Sequence, residues 1–128
     1  DDIAVALAAP VVAKESSRNE VVVHGGAVHL SKDRLTLQQE NETETEIFGG
    51  IVRLRDKDWS QILPLSGNYV RKLSQEHGII RLSESEFDNI RVGDLIGILP
   101  VHSCLTADCM GGYLNENGRY ISMMNWRR

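Results

Sequence analysis

Imidazole and thiol come together in one short stretch, LPVHSCLTAD at residues 99–108. His102 offers a ring nitrogen and Cys104, two residues on, a sulfur. If the stretch is a strand, positions i and i+2 share a face with Cα atoms roughly 6–7 Å apart, so both donors can converge on one ion. A nitrogen–sulfur pair suits zinc better than magnesium or manganese. Two protein ligands still fall short of the three usual at catalytic zinc. The plainer reading stays open: a thiol acting as a small apolar residue beside a hydrogen-bonded histidine at a strand end. A jelly-roll metal site would want a His-x-His pair and a glutamate, which are missing here. Asp108 and Cys109 follow closely and rank below Cys104 as donors.

The other chemically capable residues are weaker candidates. His24 and His29 flank Gly25-Gly26, and their odd spacing puts them on opposite faces of a regular strand unless the glycines bulge it. Glu76-His77-Gly78 reads as an acid/base pair or as a bulge between strands, with Gly78 supplying the unusual backbone angle. The bulge is the simpler reading. Lys14 and Lys32 have no neighbour in sequence that would activate them, so both are expected on solvated surface. There is no glycine-rich phosphate loop, serine nucleophile elbow or Cys-x-x-Cys pair.

The elements that must position these residues read as short strands. Glu20 to His24 (EVVVH) is a β-branched run typical of a strand buried on both faces, and Ala27 to Ser31 (AVHLS) reads as its continuation. Ile47 to Arg55 alternates like a half-exposed strand. Tyr69 to Ser74 and Ile79 to Leu82 flank the Glu76-His77-Gly78 motif. Leu95 to Val101 follows a tight turn at Val92-Gly93-Asp94, and Arg119 to Met124 follows a hairpin turn at Asn115–Gly118, where Asn-Gly tolerates positive φ. Ile3 to Ala9 has some helix propensity, but Val5 and Pro10 favour an extended chain. Residues 38 to 46 (QQENETETE) are polar and acidic and read as a mobile loop. Short strands at this spacing predict an all-β fold, a mainly antiparallel barrel or sandwich with at most short helices.

The chain has 128 residues, 41% hydrophobic and 25% charged, with net charge −4. That fits one domain over residues 1–128 with a core of its own. There is no basic footprint for nucleic acid, and the terminal Trp126-Arg127-Arg128 is too short to make one. The apolar run at residues 3 to 13 is too short to span a membrane and is interrupted by Pro10. Two cysteines in an acidic chain with no signal sequence point to free thiols in the cytoplasm. The start at Asp1-Asp2, without methionine, suggests a piece of a longer protein.

Several segments together resemble a known family. PVVAK (10–14), RNEVVVHGGAVHLSKD (18–33), LSQEHGIIRL (73–82), VGDLIGILPVHSCLTAD (92–108) and the closing NGRYISMM look like the C-terminal domain of the D-serine dehydratase and D-threonine aldolase family. These are pyridoxal-phosphate enzymes built like alanine racemase. The resemblance implies a missing N-terminal α/β barrel that holds the cofactor on a lysine, so the chain alone should neither bind pyridoxal phosphate nor turn over substrate. It implies no catalytic residue here, metal ligation by His102 and Cys104, and a zinc ion that meets the β-hydroxyl of a D-amino acid. A hydroxyl so activated leaves as hydroxide in a dehydratase; in an aldolase it is deprotonated for Cα–Cβ cleavage. Aldolase members tend to have aspartate where this chain has Cys104, so thiolate favours the dehydratase branch. Glu76 and His77 match a family motif and are expected to support the site from beside it. The family commonly forms homodimers. The alternatives are a non-catalytic barrel that completes a dimer and a stand-alone binding barrel.

Overall fold

Valine and isoleucine fill the runs that pair, because branched side chains pack well on a pleated surface. The computed structural model describes residues 5–38, 43–54 and 67–123. In chain order its elements are β1 (Leu7–Glu15), β2 (Glu20–His24), α1 (Ala27–Leu30), β3 (Leu35–Gln38), β4 (Glu44–Ile47), β5 (Gly49–Arg53), β6 (Tyr69–Leu73), β7 (His77–Arg81), α2 (Glu84–Asn89), β8 (Leu95–Pro100), α3 (Ser103–Met110), β9 (Gly112–Leu114) and β10 (Tyr120–Ser122). Six of the strands close into an antiparallel barrel in the order β1-β2-β7-β6-β5-β8, with β8 returning to β1. Two hairpins, β3–β4 and β9–β10, stand outside the ring. The expected all-β class, with only short helices, is what folds.

The barrel interior is dry and aliphatic. Val11, Val21, Val23, Ile51, Val70, Ile80, Ile96 and Ile98 are all fully or almost fully buried. Each contributes on the order of 1.5–3 kcal/mol through removal from water. Val22 is only half-buried, so β2 has one sealed face rather than the two expected; a barrel strand has one interior to face. Leu82 and Phe87 join the same core, Phe87 from α2. The Lys14 ammonium lies 4.0 Å over the Phe87 ring and donates to the carbonyls of Phe87 (2.6 Å) and Ile90 (2.5 Å). Lys14 is therefore a clamp on the end of α2 that still lies on exposed surface as expected, and Lys32 is exposed as well.

Other sequence expectations shift for local reasons. Ala27 to Ser31 does not continue β2. It becomes α1, because Gly25-Gly26 ends the strand and the Gly26 N–H is taken by the His29 side chain at 3.2 Å, a capping arrangement. Of the acidic stretch 38 to 46, Gln38 ends β3 and residues 44–46 lie in β4, where Arg34 pairs with Glu46 at 2.7 Å; residues 39–42 lie outside the described residues. Ile47 belongs to β4 and β5 starts at Gly49, almost wholly buried and not half-exposed; Arg55 is outside the described residues. Gly78 has no positive φ. It is a glycine because an added Cβ would stand 2.7 Å from the Gly25 carbonyl. The turns are as read: Gly93 and Gly118 both take positive φ. Residues 1–4, which include the first two of the apolar run, and residues 124–128 lie outside the described residues.

Candidate metal centre

β8 ends at Pro100, and the chain turns directly into α3. His102 is the N-cap of α3, extended at φ −129° and ψ 97°, and its carbonyl accepts from the Thr106 N–H at 3.3 Å. Cys104 is the second residue of the helix. The two donors therefore do not leave one strand edge, as the i, i+2 argument assumed; they flank a strand-to-helix junction. Both remain accessible, with the His102 side chain 49% exposed and Cys104 an exposed free thiol. Asp108 and Cys109 are also exposed, a turn or more further along α3.

The histidine is held by a residue the sequence reading did not single out. Asp33 Oδ2 lies 2.9 Å from His102 Nδ1. A carboxylate only accepts, so Nδ1 carries the proton and, in the neutral ring, Nε2 keeps its lone pair for a ligand. Asp33 reaches this place through an unusual backbone. Ser31, just past α1, has φ 65° and ψ −171°, a conformation that side chains other than glycine avoid. Its N–H donates to the Ala27 carbonyl at 2.9 Å, and its Oγ accepts from the Asp33 N–H at 3.3 Å. The 69 positions between Asp33 and His102 hide the pairing from any local pattern.

Three histidines gather at the α1 corner. His24 and His77 are direct partners on the β2–β7 ladder, with ring centres 5.6 Å apart. His24 and His29 are 5.3 Å apart, edge to face. The expectation that His24 and His29 lie on opposite faces fails because α1 replaces the strand. The corner is tight: a Cβ on Gly26 would stand 2.5 Å from the Gln75 carbonyl and the His77 nitrogen. Burial and the neighbouring His24 hold the His29 pKa below the usual histidine range, against an opposing pull from Glu76. Glu76 and His77 thus belong to this cluster, whereas the carboxylate bonded to His102 is Asp33. Among the described residues no three of His, Cys, Asp and Glu stand close enough to enclose an ion. A cleft of about 740 Å³ between β5, α2 and β8 is lined by Arg53, Glu86 and Leu95 among others and touches none of these candidates.

The donor chemistry fits a soft or borderline divalent ion: imidazole Nε2, a thiol, open positions for other ligands, and a carboxylate behind the ring. Fold and site define a class, a small closed antiparallel barrel with an exposed histidine and thiol at a strand-to-helix junction. The chain belongs to the family of putative serine dehydratase domains, which it matches over residues 4–115. It is 29% identical to a D-serine dehydratase of Schizosaccharomyces pombe, over 98% of this chain and 27% of that protein. Among solved structures it resembles an alanine racemase-like protein from Idiomarina loihiensis, with 26% identity, TM-score 0.69, and coverage of 91% of this chain and 30% of the other. It also shares the fold of D-threo-3-hydroxyaspartate dehydratase, whose metal-free cysteine-to-alanine variant matches at 22% identity and TM-score 0.70 over 94% of this chain and 32% of the other. The chain thus spans less than a third of the length of each of these relatives.

Proposed function

We propose that this chain is the metal-carrying C-terminal domain of a pyridoxal-phosphate-dependent D-amino-acid lyase of the dehydratase type. It would act within a longer cytoplasmic, homodimeric enzyme on a 3-hydroxy D-amino acid such as D-serine. The observation that carries the reading is the Asp33–His102 bond, which fixes the imidazole with Nε2 free, beside an exposed Cys104 two residues on. Membership of the dehydratase family supports the reaction class. The His-x-Cys spacing also equals that of the histidine and cysteine replaced by alanine in the two D-threo-3-hydroxyaspartate dehydratase variants.

His102 and Cys104 would hold the ion, which when bound supplies Lewis-acid activation of the substrate β-hydroxyl as a leaving group. Asp33 keeps the proton on Nδ1 and the ring in one orientation. The extended N-cap at His102 and the first turn of α3 fix the two donors on rigid elements, with their remaining surroundings open to substrate. No residue of this chain is placed as acid or base, and the cofactor lysine would come from the rest of the protein.

The complete enzyme carrying these residues should release pyruvate from D-serine. His102→Ala and Cys104→Ala should each abolish that release together with bound zinc. Full turnover in both variants would overturn the assignment, and glycine from D-threonine instead of 2-oxobutyrate would move the enzyme to the aldolase branch.

A further inference from the structure

We propose that His24 and His77 form a second divalent-metal site, separate from His102 and Cys104, that takes a borderline ion such as zinc, nickel or copper. The two residues are direct partners on one rung of the β2–β7 ladder. Directly opposed side chains on an antiparallel pair have Cβ atoms only about 4.5–5.5 Å apart. Two imidazoles on one tetrahedral ion, with metal–nitrogen bonds of about 2.0–2.1 Å, have ring centres ~5.2 Å apart. The observed separation is 5.6 Å, so a small rotation of either exposed ring suffices.

The backbone beneath the pair is already fixed. His24 is held by the ladder. The His77 carbonyl accepts from the Ser74 N–H at 2.8 Å and from the Ser74 Oγ at 3.0 Å, and the His77 N–H donates back to that Oγ at 3.2 Å. Gly26 presses on the same turn, while α1 anchors to it through Ala27 N–H to the Ser74 carbonyl (2.9 Å) and Val28 N–H to the Gln75 carbonyl (3.0 Å). A chelating pair on a rigid turn loses little freedom when it binds.

His29 stands beside His24 but is not a ligand. Its Nδ1 accepts from the Gly26 N–H, so in the neutral ring the proton sits on Nε2 and neither nitrogen offers a lone pair. Glu76, adjacent to His77, acts on His29 with the sign that favours positive charge and would favour a bound cation likewise. Imidazole ligands select zinc, copper and nickel over magnesium and calcium. Two protein donors leave the other positions to water or to an incoming ligand.

The test uses this chain with His102→Ala and Cys104→Ser, which removes the other candidate site and makes the two proposals separable. Calorimetric titration with nickel should give one ion per chain. His24→Ala and His77→Ala should each weaken binding about tenfold or more, and His29→Gln should change it less than about threefold. On the unsubstituted chain, trace nickel should broaden the NMR ring signals of His24 and His77 before that of His29. Nickel binding untouched by both alanine variants, or broadening of His29 ahead of His24 and His77, would overturn the proposal. If the doubly substituted chain does not fold, the NMR measurement decides alone.

Discussion

The Asp33–His102 contact predicts a separation between stability and metal affinity. Both side chains are about half exposed, 47% and 49%. A contact so open to water contributes no more than about 1 kcal/mol to folding. Its effect on a ligated metal is larger, because an outer carboxylate sets tautomer and orientation; loss of such partners typically lowers metal affinity about 10–100-fold. That corresponds to about 1.4–2.8 kcal/mol at 1.4 kcal/mol per decade. Asp33→Asn keeps an acceptor but loses the charge, and Asp33→Ala loses both. Zinc calorimetry on this chain should start from weak binding, since about half of a usual shell is present. Affinity should then fall in the order Asp, Asn, Ala, while the urea midpoint hardly moves. Cobalt in place of zinc should show a thiolate charge-transfer band that disappears in Cys104→Ser. If Asp33→Ala binds zinc as the unsubstituted chain does, while His102→Ala abolishes binding, the ring is not held by Asp33 in the metal-bound state.

Three further outcomes follow from the same structure. Ser31→Gly relieves a backbone conformation that costs on the order of 1–3 kcal/mol, offset by about 0.5–1 kcal/mol of glycine entropy, so chemical denaturation should show a gain of up to about 2 kcal/mol, with weaker zinc binding as Asp33 loosens. Ile80→Ala empties a fully buried place in the barrel and should cost about 2–5 kcal/mol by the same assay; a loss under about 1 kcal/mol would contradict the close-packed interior. His29 has a folded pKa below its unfolded value, so the unfolded chain takes up its proton first as pH falls: its contribution is whole above about pH 6.5 and disappears through the folded value, and amide protection factors at α1, corrected for the intrinsic pH dependence of exchange, should fall on acidification in wild type but not in His29→Gln.

Strands and turns were legible because their causes are local. The β-branched run of β2 and the glycine turns before β8 and β10 carry their own signals, and each forms where expected. The helices were not. α1 and α3 are short and lack a clear apolar stripe, and what makes α1 is a glycine pair with a histidine folding back on the Gly26 N–H. That substitution of helix for strand moved His29 next to His24 and carried Asp33 toward His102. The candidate pair His102 and Cys104 stood out as two residue types at a spacing, although the strand argument for their convergence did not survive the start of α3. Asp33 ends the family-like segment 18–33, but its partner is far away in sequence, and only the closed fold brings them together.

Closure of the ring dictates how anything larger can be joined to it. Where β8 meets β1 the last edge is consumed, so a companion protein cannot lengthen this sheet by laying down a strand; it must grip side chains at the barrel ends or extend one of the outlying hairpins. Among the described residues β5 and β6 meet at the Gly50–Tyr69 rung, with one further bond from the Phe48 N–H to the Val70 carbonyl.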